Sequence, residues 1–131
     1  MSDKDTLHAV PPVSGYRPLS DADVARMNAI KAKAQELLAL HDELVQATLT
    51  ENNELWAAEQ NATTLLRAAE QDSETNPQGV AAAQAALDTI AAKFQALQQS
   101  EPLRWAAIGR SDIQKGVMAL CRAIARPDGS F

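Results

Sequence analysis

The chain has 131 residues, 12 Lys+Arg against 17 Asp+Glu, and a net charge of −5. That length suits one domain, and that charge disfavours any protein that coats DNA or RNA. Apolar residues make up 46%, yet aromatics only 4% and Ala supplies 26 positions, a supply of small and aliphatic side chains that fits helix interfaces better than β-sandwiches. Cys121 is the single cysteine, which excludes an internal disulfide framework and a Cys-based zinc site. No apolar run approaches the ~20 residues that span a bilayer, and Met1-Ser2-Asp3-Lys4-Asp5 does not resemble a signal peptide. The expectation is a soluble, intracellular, all-α protein with no membrane partner.

In chain order, residues 1–18 carry Pro11, Pro12, Gly15 and Pro18 without helical periodicity and read as an extended N-terminal arm. Ser20-Asp21-Ala22-Asp23 then has the form of a helix start, with Ser20 as cap and acids where the helix dipole favours them. Apolar or small residues recur at Val24, Met27, Ile30, Ala34, Leu37, Leu38, Leu44, Val45, Leu55, Trp56, Ala62, Leu65 and Leu66, in steps near three and four. This predicts one amphipathic helix over 20–71, roughly 75 Å long if unbroken. The breaker cluster Gln71 to Gly79 predicts a turn at about 72–78. Helical segments at about 79–99 and 101–126 follow, interrupted at Ser100-Glu101-Pro102, where a kink or a fresh start capped by Ser100 is expected. Pro127 and Gly129 are stop signals. The fold expected for 19–127 is a long antiparallel helical hairpin with a kinked or broken second helix.

Charge is unevenly placed. Residues 35–100 hold ten acids and only Arg67 and Lys93 as bases, whereas 14–34 have a balance of +2 and 101–126 of +3. A turn near residue 75 sets position 30 opposite about 116–120 and brings the two basic segments together at the open end, which is then built to meet an anion. A lone hairpin covers only one face of each helix, so a second apolar set (Trp56, Phe94, Trp105, Met118) is expected to be buried by other copies in a homo-oligomer.

The catalytic inventory is thin. His8 and His41 are isolated, and no His-x-x-x-His or Glu-x-x-His pair exists, so neither a metal site nor a cofactor is expected. His41 suits a partly buried or interface position and Cys121 a core one, with no His near it to activate a nucleophile. No phosphate loop or dinucleotide fingerprint appears, and an enzyme is not expected. What remains is binding chemistry. Tyr16 suits either stacking on a nucleobase or pinning the arm to the first helix. Lys31, beside the apolar stripe, suits either snorkelling at an interface or a point charge for phosphate. Arg104, next to Trp105, offers a guanidinium fit for bidentate phosphate binding. Gly109, Gly116 and Ala123, seven apart, strip one helix face of bulk, which points first to close helix packing.

Two blocks join these signals. Gly15-Tyr16-Arg17-Pro18-Leu19-Ser20 with Met27-Asn28-Ala29-Ile30-Lys31-Ala32-Lys33, and the stretch from Arg104-Trp105 to Ile124, resemble the phage hairpin-domain proteins that sequester cyclic-nucleotide alarm signals, the anti-CBASS and anti-Thoeris sponges. The resemblance covers about 14–45 and 100–127, and residues 50–98 form a longer hairpin tip than compact members carry. It implies a homohexamer in the host-cell cytoplasm that binds cyclic di- or trinucleotides without cleaving them. Tyr16 would stack on a base of a ligand such as 3′,3′-cyclic GMP–AMP, Lys31 would meet its phosphate, and Asn28 would join them. A second pocket would use Arg104, Lys33 and Ser111, with Lys33 standing where relatives carry a hydroxyl residue. The alternative reading is a structural or adaptor hairpin with no nucleotide ligand.

Overall fold

A computed structural model describes residues 17–126. Within them the chain is all-helical: α1 runs Asp21–Gln71, α2 Pro77–Ser100 and α3 Pro102–Ala125. The 51 residues of α1 contain neither Gly nor Pro, so nothing in the backbone interrupts its hydrogen-bond ladder.

The start of α1 is fixed by a reciprocal cap. Ser20 Oγ accepts from the Asp23 amide at 3.1 Å, and Asp23 Oδ2 accepts from the Ser20 amide at 3.0 Å. The connection is shorter than the sequence suggests, because Pro77 and Gly79 open α2 rather than belonging to the loop. Asn76 caps this helix through Oδ1, which accepts from the Gly79 amide at 3.0 Å, and Pro77 takes the first position, where an amide is dispensable. A Cβ on residue 79 would fall 2.5 Å from Asn76 Nδ2, so a larger residue there requires the capping amide to shift.

The second half of the hairpin breaks at Glu101, whose backbone is left-handed (φ 49°, ψ 51°) and whose amide donates to Gln98 O at 3.2 Å. Ser100 does not cap the following helix: its hydroxyl donates backward to Leu97 O at 2.8 Å. The Glu101 carbonyl instead accepts the Trp105 amide at 3.1 Å and starts α3.

The chain divides into two compact units, both crossed by α1 and α3. One contains residues up to His41 and from Ile108 onward; the other spans Asp42–Ala107. In the first, the start of α1 runs antiparallel to α3, as Ile30 lines one cleft with Leu120 and Ala123 and Leu37 another with Ile113. In the second, Gln98 Nε2 donates to Asn52 Oδ1 at 2.8 Å, which pins α2 to the middle of α1.

Burial is sparse. Among the described residues, Ala34, Ala62 and Leu66 are the buried apolar ones and Asp23 and Thr48 the buried polar ones, and α2 and α3 contribute none. Trp56, Trp105 and Met118 are 58%, 59% and 71% exposed, while Phe94 is half-buried against its own chain. Helices depend on burial of their apolar stripe for stability, and this chain leaves much of its stripe in water.

Candidate functional site

The unit holding both ends of the hairpin is cationic. Among its described residues, eight Lys/Arg face four Asp/Glu, whereas residues 42–107 hold three bases and ten acids. The first basic segment, from Arg17, and the part of the second from Ile108 onward thus share one unit, while Glu101 and Arg104 fall in the other.

Arg17 ties that unit together. Its Nε and Nη2 both donate to the Ile124 carbonyl, at 3.1 and 2.7 Å, and its Nη1 meets Asp23 Oδ2 at 3.0 Å. A guanidinium is suited to this task because its fork supplies several donors in one plane. The Ile124 carbonyl lies in the last turn of α3, where the helix end carries partial negative charge and leaves acceptors to be satisfied. Asp23 is buried and takes hydrogen bonds from the Ser20 amide and from Arg17; these hold its carboxyl well below its ordinary 3.8, at about 2. Sequence patterns miss this clamp, because it joins a side chain to a backbone carbonyl 107 residues away.

Two flanks of this unit offer different chemistry. On one, Arg17, Arg26 and Arg126 line a cleft of about 460 Å³ floored by Ala29, Ile30, Leu120 and Ala123. It continues into an apolar groove of about 480 Å³ formed by Ile30, Lys33, Leu37, Ile113 and Gly116. On the other, Met27, Met118 and Cys121 line a cleft of about 440 Å³ with Arg122. The helical repeat of about 100° per residue sets Lys31 close to Met27 and about 140° around α1 from Arg26.

The expected site residues fall as follows. Asn28 and Lys31 stand one turn apart on α1, both exposed. Tyr16 lies outside the described residues. Lys33 is exposed and paired with Glu36 at 3.3 Å. Ser111 is exposed on α3 in the same unit as Lys33, whereas Arg104 belongs to the acidic unit. Arg104 Nη1 pairs with Glu101 Oε2 at 2.9 Å, and its guanidinium sits 5.5 Å above the Trp105 ring. His41 and Cys121 are half-buried, and Cys121 is a free thiol.

The glycine stripe is not used for packing between the helices of one copy. A Cβ on Gly109 or Gly116 would meet nothing within 4 Å, so these glycines do not serve close packing within the described chain. The helices leave the stripe bare, and Gly116 becomes part of the groove floor. Among the described residues, no group of three or more His, Cys, Asp and Glu could hold a metal ion, and no helix is long and apolar enough to cross a membrane.

Fold and site together define a helical hairpin that offers cationic and apolar surface at one unit, an arrangement suited to binding. No family model matches the chain. It is, however, 38% identical over 117 residues to anti-CBASS protein 2 of Pseudomonas phage JBD67, a match that covers 89% of this chain and 93% of that protein. The chain belongs to the anti-CBASS protein 2 family.

Proposed function

We propose that this protein binds cyclic oligonucleotide second messengers in the host cell and holds them without cleavage, so that the signal fails to reach its CBASS effector. The observation that carries this reading is the 38% identity, nearly end to end, to a protein named for action against CBASS. The cationic unit supports it, because a ligand with two or three phosphates needs few cations and is repelled little by an acidic region elsewhere.

In this reading Tyr16 stacks on a base of a cyclic dinucleotide such as 3′,3′-cyclic GMP–AMP, Lys31 pairs with phosphate, and Asn28, one turn away, donates or accepts at the base or sugar. Arg104, Lys33 and Ser111 are the residues that the resemblance assigns to binding a cyclic trinucleotide. Arg104 and Lys33 would each exchange a carboxylate for a phosphate in doing so. Both present partners are exposed pairs, with side chains 62% and 51% accessible for Arg104 and Glu101 and 80% and 68% for Lys33 and Glu36. Pairs of that kind are worth about 0–1 kcal/mol, so the exchange costs little. The bare apolar faces support assembly into a homo-oligomer, with the hexamer as the state the resemblance implies.

The test is calorimetric titration with 3′,3′-cyclic GMP–AMP and with a cyclic trinucleotide, followed by recovery of the ligand after the protein is denatured. The reading expects tight binding and an intact cyclic ligand. A linear product would make the protein a phosphodiesterase, and the absence of binding across cyclic di- and trinucleotides would leave an adaptor hairpin.

A further inference from the structure

The arginine cleft is not explained by the binding of a ligand at Lys31. We propose that the cleft between the start of α1 and the end of α3 is a further anion seat, lined by none of the residues assigned above to cyclic nucleotides, for a small phosphate ester that carries a flat or apolar body.

The argument rests on how three guanidiniums are used. Arg17 is spent: Asp23 neutralises it, and the Ile124 carbonyl occupies two of its donors. Arg26 and Arg126 line the same cleft, and among the described residues no hydrogen bond or ion pair engages either side chain. Among the described residues that line the cleft, Asp23 is the one carboxylate and is already committed to Arg17 and Ser20, so none of them neutralises Arg26 or Arg126. Like charges that converge on a concave, low-dielectric surface raise the local potential and draw anions in. Guanidinium groups meet phosphate oxygens in a two-pronged fashion, and the described carboxylate of this cleft, Asp23, is held by Arg17 and not by Arg26 or Arg126.

The floor sets the rest of the ligand. Ala29, Ile30, Leu120 and Ala123 offer apolar surface, and the volume of about 460 Å³ falls within the range of about 300–1,000 Å³ usual for small-molecule sites. A phosphate at the arginines with a base lying on this floor uses both halves of the cleft. Inorganic phosphate alone would leave the floor wet. Because Lys31 points about 140° away around α1, the seat is independent of the contact proposed for that lysine.

The full-length protein is titrated with AMP, a monophosphate bearing one flat base, and with inorganic phosphate. Four versions are compared: wild type, Arg26→Gln/Arg126→Gln, Lys31→Gln, and Lys115→Gln, which removes a charge from the same unit without lining the cleft. AMP should bind wild type more tightly than inorganic phosphate does, and the double variant should weaken AMP by at least about tenfold. Lys31→Gln and Lys115→Gln should stay within about twofold, as an effect of net charge alone. Circular dichroism verifies that the surface substitutions leave the helices intact. Failure of wild type to bind AMP overturns the proposal, as does equal weakening by all three variants. A double variant that changes the molecular mass in light scattering but not AMP affinity also overturns it, because the cleft then seats another copy. None of these outcomes bears on whether Lys31 binds a cyclic dinucleotide, which the Lys31→Gln protein answers with that ligand.

Discussion

The two units are built from the same helices yet differ in what their charges do. Among the described residues of the unit with the chain ends, eight bases and four acids surround apolar clefts, and the buried carboxylate of Asp23 is consumed by a structural clamp. In residues 42–107, ten acids and three bases are spread over exposed helix faces, and the polar contacts that matter are caps and one Asn52–Gln98 bridge. Net charge therefore says little about what this protein meets. The distribution says more: a small anion finds one receptive unit, while long polyanions would run into the acidic one.

Substitutions can break this contrast, and the largest effect belongs to the basic unit. Tyr16→Ala and Lys31→Ala should each weaken 3′,3′-cyclic GMP–AMP by about tenfold to a hundredfold in calorimetry, the loss expected for a stacked base or a charge-assisted phosphate bond. Glu54→Gln, in the acidic unit, should leave the affinity within about twofold. Next comes the clamp. Arg17→Ala leaves Asp23 without its cation and Ile124 O without its donors, and should lower the melting temperature more than Arg26→Ala, which has no described partner to lose.

The clamp also sets an acid limit. The Asp23 carboxyl is depressed in the folded chain to about 2 from an ordinary 3.8. A depressed carboxylate stabilises the fold fully above the higher value and less as pH falls toward the lower one. Melting followed from pH 5 to pH 2 should show a decline that Asp23→Asn removes.

Smaller effects sharpen the acidic side. Ser20→Ala and Gly79→Ala both damage helix caps and should each cost about 1 kcal/mol in chemical denaturation, one in each unit. Glu101→Gln releases Arg104 from its exposed pair and should change stability by less than about 1 kcal/mol. If Arg104 serves a second pocket, the same change should tighten cyclic trinucleotide binding slightly and leave the dinucleotide unaffected.

Much of this was legible in the sequence because it is periodic. The stripe from Val24 to Leu66 marks α1, and the breakers around residue 75 set Ile30 across from Leu120. The pairing of two distant basic segments followed from that register alone. Features without periodicity were not legible. Arg17 reads as one more base until its carbonyl acceptor is seen, since backbone acceptors leave no mark in a side-chain pattern. Pro77 and Gly79 look like loop residues until Asn76 caps them into α2. Gly109 and Gly116 suggest tight packing, but composition cannot distinguish a packed small residue from a bare one. Lys31 and Asn28 owe their assignment to resemblance, because an exposed lysine one turn from an asparagine is common on any helix.

Hydrogen exchange read along the chain, with and without 3′,3′-cyclic GMP–AMP, tests the central claim most directly. The ligand should slow exchange within residues 17–41 and 108–126, leave 42–101 unchanged, and be recovered whole. Protection confined to the acidic helices, or a ligand recovered as linear product, would contradict the account.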